Sequence, residues 1–141
     1  MTTKKPVTIL VVDDDPDDRL LIADALKTCR ISNPTQFLES AEQLIHHLKN
    51  GPKPGFIFLD IQMPKMNGLE ALQIVRENSK SHDIPIIMLT TSRAEEDVLQ
   101  AYGLGANSFI TKPVTFDGLV QIMQKTTNYW LEIVHLPTQE A

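Results

Sequence analysis

Short apolar runs alternate along this chain with longer stretches in which apolar residues recur every three or four positions. Val7-Thr8-Ile9-Leu10-Val11-Val12 is β-branched and nearly all apolar, as expected of a strand buried on both faces. Asp13-Asp14-Asp15-Pro16-Asp17-Asp18 ends it. Pro16 fits the first helical position and Asp15 the N-cap. Asp17 and Asp18 then fall in the first turn, where the helix dipole favours acids. Ile22, Ala25, Leu26 and Cys29 follow at i, i+3, i+4 and i+7, a core stripe. Cys29 therefore reads as packing and not as a reactive thiol. Asp13 and Asp14 have no such structural account, because they lie between strand end and helix start.

The alternation repeats. Asn33-Pro34 marks a turn, and Gln36-Phe37-Leu38 a short strand. Ser40 is a plausible cap for a second helix with Ala41, Leu44, Ile45 and Leu48 inward. His46 and His47 are adjacent and point to different sides, which suits exposed surface better than a metal site. After a Gly/Pro loop over residues 50–55, Phe56-Ile57-Phe58-Leu59 is a third strand ending on Asp60. Pro64 and Gly68 break the pattern before a helix that starts at Leu69 and carries Ala71, Leu72 and Val75. Ile84 to Leu89 reads as a fourth strand with Pro85 near its start. Ser92-Arg93-Ala94-Glu95 has the form of a capping box for a helix packing through Val98, Ala101 and Tyr102. Gly103 and Gly105 end that helix. Ser108-Phe109-Ile110-Thr111 is a short fifth strand closed by Lys112-Pro113, and a last helix carries Leu119, Ile122, Met123, Trp130 and Ile133.

Strand followed by helix, five times with short connections, predicts an α/β fold. It would be a doubly wound, five-stranded parallel sheet with helices on both faces. Right-handed crossovers put all five strand carboxyl ends on one edge. The 141 residues suit a single domain over 1–141 with its core over about 7–134. The net charge of −5 argues against a nucleic-acid surface. A single cysteine excludes an internal disulfide and fits a reducing compartment. With no apolar run long enough for a signal peptide or membrane span, a cytoplasmic protein is expected.

The common strand edge collects polar groups that a buried sheet does not need. The first strand delivers Asp13 and Asp14, the third Asp60, the fourth Thr90 and the fifth Lys112. Asp60 alone also reads as a cap or turn former. Three carboxylates held together repel unless a cation joins them. Oxygen ligands of this kind suit Mg²⁺, which keeps waters and recruits phosphate oxygens. A carboxylate nucleophile, a divalent metal and a lysine are the parts of aspartyl-phosphate chemistry.

Val11-Val12-Asp13-Asp14-Asp15, Leu59-Asp60-Ile61-Gln62-Met63-Pro64-Lys65-Met66-Asn67-Gly68, Leu89-Thr90-Thr91 and Ser108-Phe109-Ile110-Thr111-Lys112-Pro113 occur in order on the predicted strand ends. Together they resemble the response-regulator receiver domains of the CheY-like, flavodoxin-like superfamily, over roughly residues 7–134. The resemblance implies that Asp60 is phosphorylated by a sensor histidine kinase. It implies Mg²⁺ held by Asp14, Asp60 and the backbone carbonyl of Gln62, with Asp13 acting through a bound water. Lys112 would contact the phosphoryl oxygens, Thr90 would move to bond the phosphoryl group, and Phe109 would change rotamer with it. Phe109 also reads as a plain core aromatic. Gln62 and Ser92 lie where this family tunes hydrolysis of the aspartyl phosphate. The Lys112–Pro113 bond is expected to be cis.

Few residues follow the last helix, so a stand-alone receiver acting on a downstream protein target is expected, with no output domain and no nucleic-acid or membrane partner. Tyr129, Trp130, Leu131, Ile133 and Val134 make the end of that helix apolar almost all round. Two readings stand: a homodimer through the fourth helix, fifth strand and fifth helix, or a helix end that folds back over its own core. The loop over 50–55 and Asn128-Tyr129-Trp130-Leu131-Glu132 resemble single-domain regulators paired with bacterial and cyanobacterial phytochromes, which implies a phytochrome-type kinase as partner. Two other classes remain. An aspartate-nucleophile phosphatase needs a general acid two residues after the nucleophile, and Gln62 cannot serve as one. A pseudo-receiver that only binds partners would be expected to lack one of the acids or Lys112. The protein is therefore expected to be no enzyme beyond hydrolysing its own phosphoryl group.

Overall fold

The computed structural model describes residues 6–137; the tails at 1–5 and 138–141 lie outside the described residues. Five β-α units follow one another: β1 (Ile9–Val12), α1 (Pro16–Thr28), β2 (Thr35–Leu38), α2 (Ala41–Asn50), β3 (Phe56–Leu59), α3 (Gly68–Glu77), β4 (Ile86–Thr90), α4 (Glu95–Gly103), β5 (Ser108–Thr111) and α5 (Phe116–Asn128). All strand pairs are parallel and the sheet order is β2-β1-β3-β4-β5. The doubly wound α/β fold expected from the sequence is present.

Strand residues alternate between two cores, as a period of two requires. Leu10, Val12, Ile57, Leu59, Ile86 and Met88 face α2 and α3. Ile9, Val11, Phe56, Phe58, Ile87 and Leu89 face α1 and α5. Continuous apolar strands thus reflect burial on both sheet faces.

Several boundaries differ from the sequence reading. β1 begins at Ile9, because Val7 and Thr8 precede the pairing with β2 that starts at Ile9 and Thr35. β4 begins at Ile86, after Pro85, whose carbonyl accepts from the Ile57 N–H at 3.0 Å. Asp15 caps α1 by accepting from the Asp17 N–H at 2.8 Å, as expected. Ser92 does not cap α4. The helix starts from Ala94 without a side-chain cap. The Ser92 hydroxyl donates to Asp97 Oδ2 at 2.6 Å and accepts from the Ala94 N–H at 3.3 Å. Tyr102 is exposed rather than packed.

Of the two readings that the sequence left open for the end of α5, the fold-back over its own core is present. A π-helical turn over Tyr129–Ile133 follows the helix. The Trp130 ring stacks on Phe56 with centroids 6.3 Å apart, and Trp130, Leu131 and Val134 pack against the α1/α5 core. Leu136 is buried beyond them. Tyr129 and Ile133 face outward, so the expected inward placement of Ile133 is wrong. The extra residue of the π turn rotates Ile133 off the stripe. Cys29 is half-buried, its thiol donating to the Val120 carbonyl at 3.3 Å.

Candidate functional site

The order 2-1-3-4-5 reverses between β1 and β3, and ligands in such sheets bind outside the strand carboxyl ends at that point. Asp13 and Asp60 stand there because the ladder runs one residue past each strand. The Asp13 N–H donates to the Leu38 carbonyl and the Asp60 N–H to the Val12 carbonyl, each at 3.0 Å. Asp14 follows at the cleft. Ligand oxygens of Asp13, Asp14 and Asp60 all lie within 4.8 Å of one another. Asp13 and Asp60 are buried; Asp14 is half-buried, and no described residue donates to its carboxylate.

The loop after Asp60 folds back on it. The Gly68 N–H donates to the Ile61 carbonyl at 2.8 Å, and a Cβ at Gly68 would stand 2.0 Å from the Asp60 carbonyl oxygen. Only glycine allows that approach. Asp60 Oδ1 accepts from the Ile61 N–H at 2.8 Å, which leaves Oδ2 toward Lys112. Gln62 lies on the rim, and its side chain accepts from the Thr91 hydroxyl at 3.0 Å. Its backbone carbonyl accepts no hydrogen bond among the described residues.

Lys112 follows β5, its backbone N–H donating to the Thr90 carbonyl at 2.7 Å. Its ammonium donates to Asp13 Oδ2 at 2.5 Å and to Asp18 Oδ2 at 2.8 Å, and stands 3.6 Å from Asp60 Oδ2. Burial works against the cation, but the bonds to Asp13 and Asp18 and the charge of Asp60 outweigh it, and its pKa is raised. Burial also pushes the Asp13 carboxyl up, against the lowering bond from Lys112. The Lys112–Pro113 bond is trans, not cis as expected. Trans is the ordinarily favoured isomer, and Lys112 reaches Asp13 from it.

Thr90 ends β4 fully buried, its hydroxyl accepting from the Ser92 N–H at 3.4 Å and not bonded to Asp60. Phe109 is half-buried against the α2/α3 core, and its N–H, on the outer edge of β5, donates to the Tyr102 hydroxyl at 3.2 Å. The structure thus gathers Asp13, Asp14, Asp60 and Lys112 into one constellation, while Thr90 and Phe109 stand on β4 and β5 outside it. Asp14, Asp60, Gln62, Thr91 and Lys112, with Asp15, Pro16 and Asp18, line an open cleft of about 420 Å³. The sequence reading missed Asp18, because the helix dipole already accounted for it. It also missed Arg19, which donates to the Asp13 carbonyl at 2.8 Å.

Five carboxylates, Asp13, Asp14, Asp15, Asp18 and Asp60, against one ammonium leave an excess of negative charge in an oxygen-rich cleft. That donor set fits a hard divalent cation and offers nothing to a soft one.

A parallel sheet of order 2-1-3-4-5 with this acidic cluster and lysine at its edge defines a receiver domain. The chain belongs to that family: the sequence profile described as response regulator receiver domain matches residues 9–124. Among individual proteins it is similar to response regulator Rcp1 of Synechocystis, 34% identical over 138 residues and covering 94% of each chain. The crystal structure of the Mn²⁺-bound form of Rcp1 superposes with a TM-score of 0.85, covering 94% of this chain and 99% of that one. The phosphorylated cyanobacterial phytochrome response regulator RcpA superposes at 0.87 with 27% identity and the same coverage. No helix among the described residues is long and apolar enough to cross a membrane.

Proposed function

We propose that Asp60 accepts a phosphoryl group from the phosphohistidine of a sensor histidine kinase. The observation that carries this reading is a buried Asp60 carboxylate, flanked by Asp13 and Asp14, with Oδ2 facing Lys112 across 3.6 Å. Asp60 attacks phosphorus in line; the new P–O bond forms as the P–N bond to histidine breaks. Asp60 Oδ1 is held by the Ile61 N–H, so the carboxylate is oriented before the donor arrives. Lys112 neutralises charge on the transferred group. Mg²⁺ is the metal that this chemistry implies. Asp14, Asp60 and the Gln62 carbonyl would hold it, with Asp13 acting through a water, and it would supply positive charge to the phosphoryl oxygens.

The added charge then draws the Thr90 hydroxyl from Ser92 toward the phosphoryl group, and Phe109 moves into the space behind it. The face of α4, β5 and α5 changes with them. Leu99 and Tyr102 on α4, with Tyr129 and Ile133 beyond α5, are exposed apolar groups that support a homodimer or a downstream protein target there. Similarity to Rcp1 and RcpA supports a phytochrome-type kinase as donor. The single cysteine, which suits a reducing compartment, supports a cytoplasmic protein. Gln62, unable to act as a general acid, supports an acceptor that turns over no external phosphoester.

Intact mass after incubation with Mg²⁺ and acetyl phosphate tests this reading. One labile adduct that needs Mg²⁺ and is absent from Asp60→Asn is the expected result. No adduct, under conditions that label another receiver, overturns it and leaves a partner-binding pseudo-receiver.

A further inference from the structure

Asp18 sits in the first turn of α1, behind the acidic cluster, and its carboxylate does something a first-turn acid ordinarily does not. In a capping box the third helical residue, a Glu or Gln, reaches back to the N-cap backbone N–H. Here the N-cap is Asp15, and its N–H donates to Asp13 Oδ1 at 3.0 Å. The capping role is therefore already filled by Asp13. Asp18 instead accepts from the Lys112 ammonium at 2.8 Å, across 94 positions of sequence. Asp13 takes a second bond from that ammonium, while Asp60 at 3.6 Å lies beyond hydrogen-bond reach. So the lysine is anchored toward α1, on the side of the cleft away from a full bond to Asp60.

We propose that Asp18 is a positioning residue that tethers Lys112 to α1 and so slows accumulation of phosphoryl-Asp60. The inference rests on Asp60 as acceptor. A phosphoryl group on Asp60 brings oxygens that draw the ammonium toward Asp60, against the pull of Asp18 on the other side. The third N–H of Lys112 is unused among the described residues, but the two bonds to Asp13 and Asp18 fix where the ammonium stands, and its flexible four-carbon stem can carry it closer to Asp60 only as one of them lengthens. Asp18 is the one to loosen: its side chain is 30% exposed and water can replace the lysine, whereas that of Asp13 is 2% exposed. Releasing Asp18 frees the ammonium for the phosphoryl oxygens and removes a negative charge from its other side.

The test is a double-mutant cycle with acetyl phosphate and Mg²⁺, following phosphoryl-Asp60 by intact mass. Asp18→Asn is expected to raise the rate of accumulation about fivefold, the size of coupling within one ion-pair network. Asp18→Glu keeps the charge and should stay near wild type. In a Lys112→Ala background Asp18→Asn should change nothing, because the tether is gone. A wild-type rate for Asp18→Asn, or the same gain with and without Lys112, overturns the proposal; the second result would mark a general charge effect. The tether is also read without phosphorylation, from the side-chain ¹⁵N signal of the Lys112 ammonium. Its proton exchange should quicken severalfold in Asp18→Asn, and unchanged exchange overturns the proposal. If exchange quickens but wild-type protein accepts no phosphoryl group, the acceptor reading of Asp60 has failed and control by Asp18 fails with it.

Discussion

Asp13 and Asp83 each pair with a lysine, at 2.5 Å and 2.8 Å, yet their surroundings push them in opposite directions. For Asp13, burial outweighs the bond from Lys112, and its pKa is raised. Ionising it costs more in the folded than in the unfolded chain. Its contribution to stability therefore falls as pH rises through the ordinary aspartate value of about 3.9 toward the folded value. For Asp83, the hydrogen bond from Lys53 outweighs burial and the pKa is lowered. Its contribution is present above the ordinary value and is lost as pH falls through the folded one. We predict that, with EDTA present, Asp13→Asn raises Tm at pH 7 and that the gain vanishes in acid. Asp83→Asn should lower Tm slightly at pH 7, reflecting a loss of less than about 1 kcal/mol of stability for an exposed pair, and not at all in acid. Thermal melts across pH check both signs.

At the scale of elements, two similar sequences part company. Asn67-Gly68-Leu69-Glu70 forms a true capping box on α3: Asn67 Oδ1 accepts from the Glu70 N–H at 2.9 Å, and Glu70 Oε1 from the Asn67 N–H at 3.0 Å. Ser92-Arg93-Ala94-Glu95 offers the same pattern and forms none. The Ser92 hydroxyl donates to Asp97, and its carbonyl accepts from the Thr111 hydroxyl of β5 at 3.3 Å, so the chain enters α4 two residues later. The local signal was equal; a contact from a distant strand decided. Asn67→Ala should lower stability by about 1 kcal/mol in urea unfolding. Ser92 has no such capping role in α4.

Across the whole molecule, the strands whose carboxyl ends carry the acidic cleft are tied together at their other ends by contacts that no single element supplies. Arg76 of α3 ties the approaches to β4 and β5 together, donating to the carbonyls of Ile84, His82 and Gly105 and to Asn107 Oδ1. Trp130 stacks on Phe56, the first residue of β3, at the same amino-terminal end of the strands. A cation bound by the folded cluster and not by the unfolded chain must stabilise the fold. At one hundred times its dissociation constant the gain is about 2.7 kcal/mol. Mg²⁺ is expected to raise Tm, EDTA to reverse the rise, and Asp14→Asn to abolish most of it, all readable by calorimetry.

The sequence by itself determined the five β-α units, the parallel sheet and the strand-end residues Asp13, Asp14, Asp60, Thr90 and Lys112. These follow from local physics: apolar runs make buried strands, and acids or a lysine at their ends have no place in a core. The resemblance of those motifs to receiver domains agrees with the match over residues 9–124. What only the tertiary structure decided are the contacts between residues far apart in the chain. Asp18 looked like a helix-dipole acid until the fold brought Lys112 to it. The end of α5 looked apolar all round until one π turn sent Trp130 inward and Ile133 outward. Each choice lay between locally equivalent states, and packing energy available only in the assembled sheet separated them.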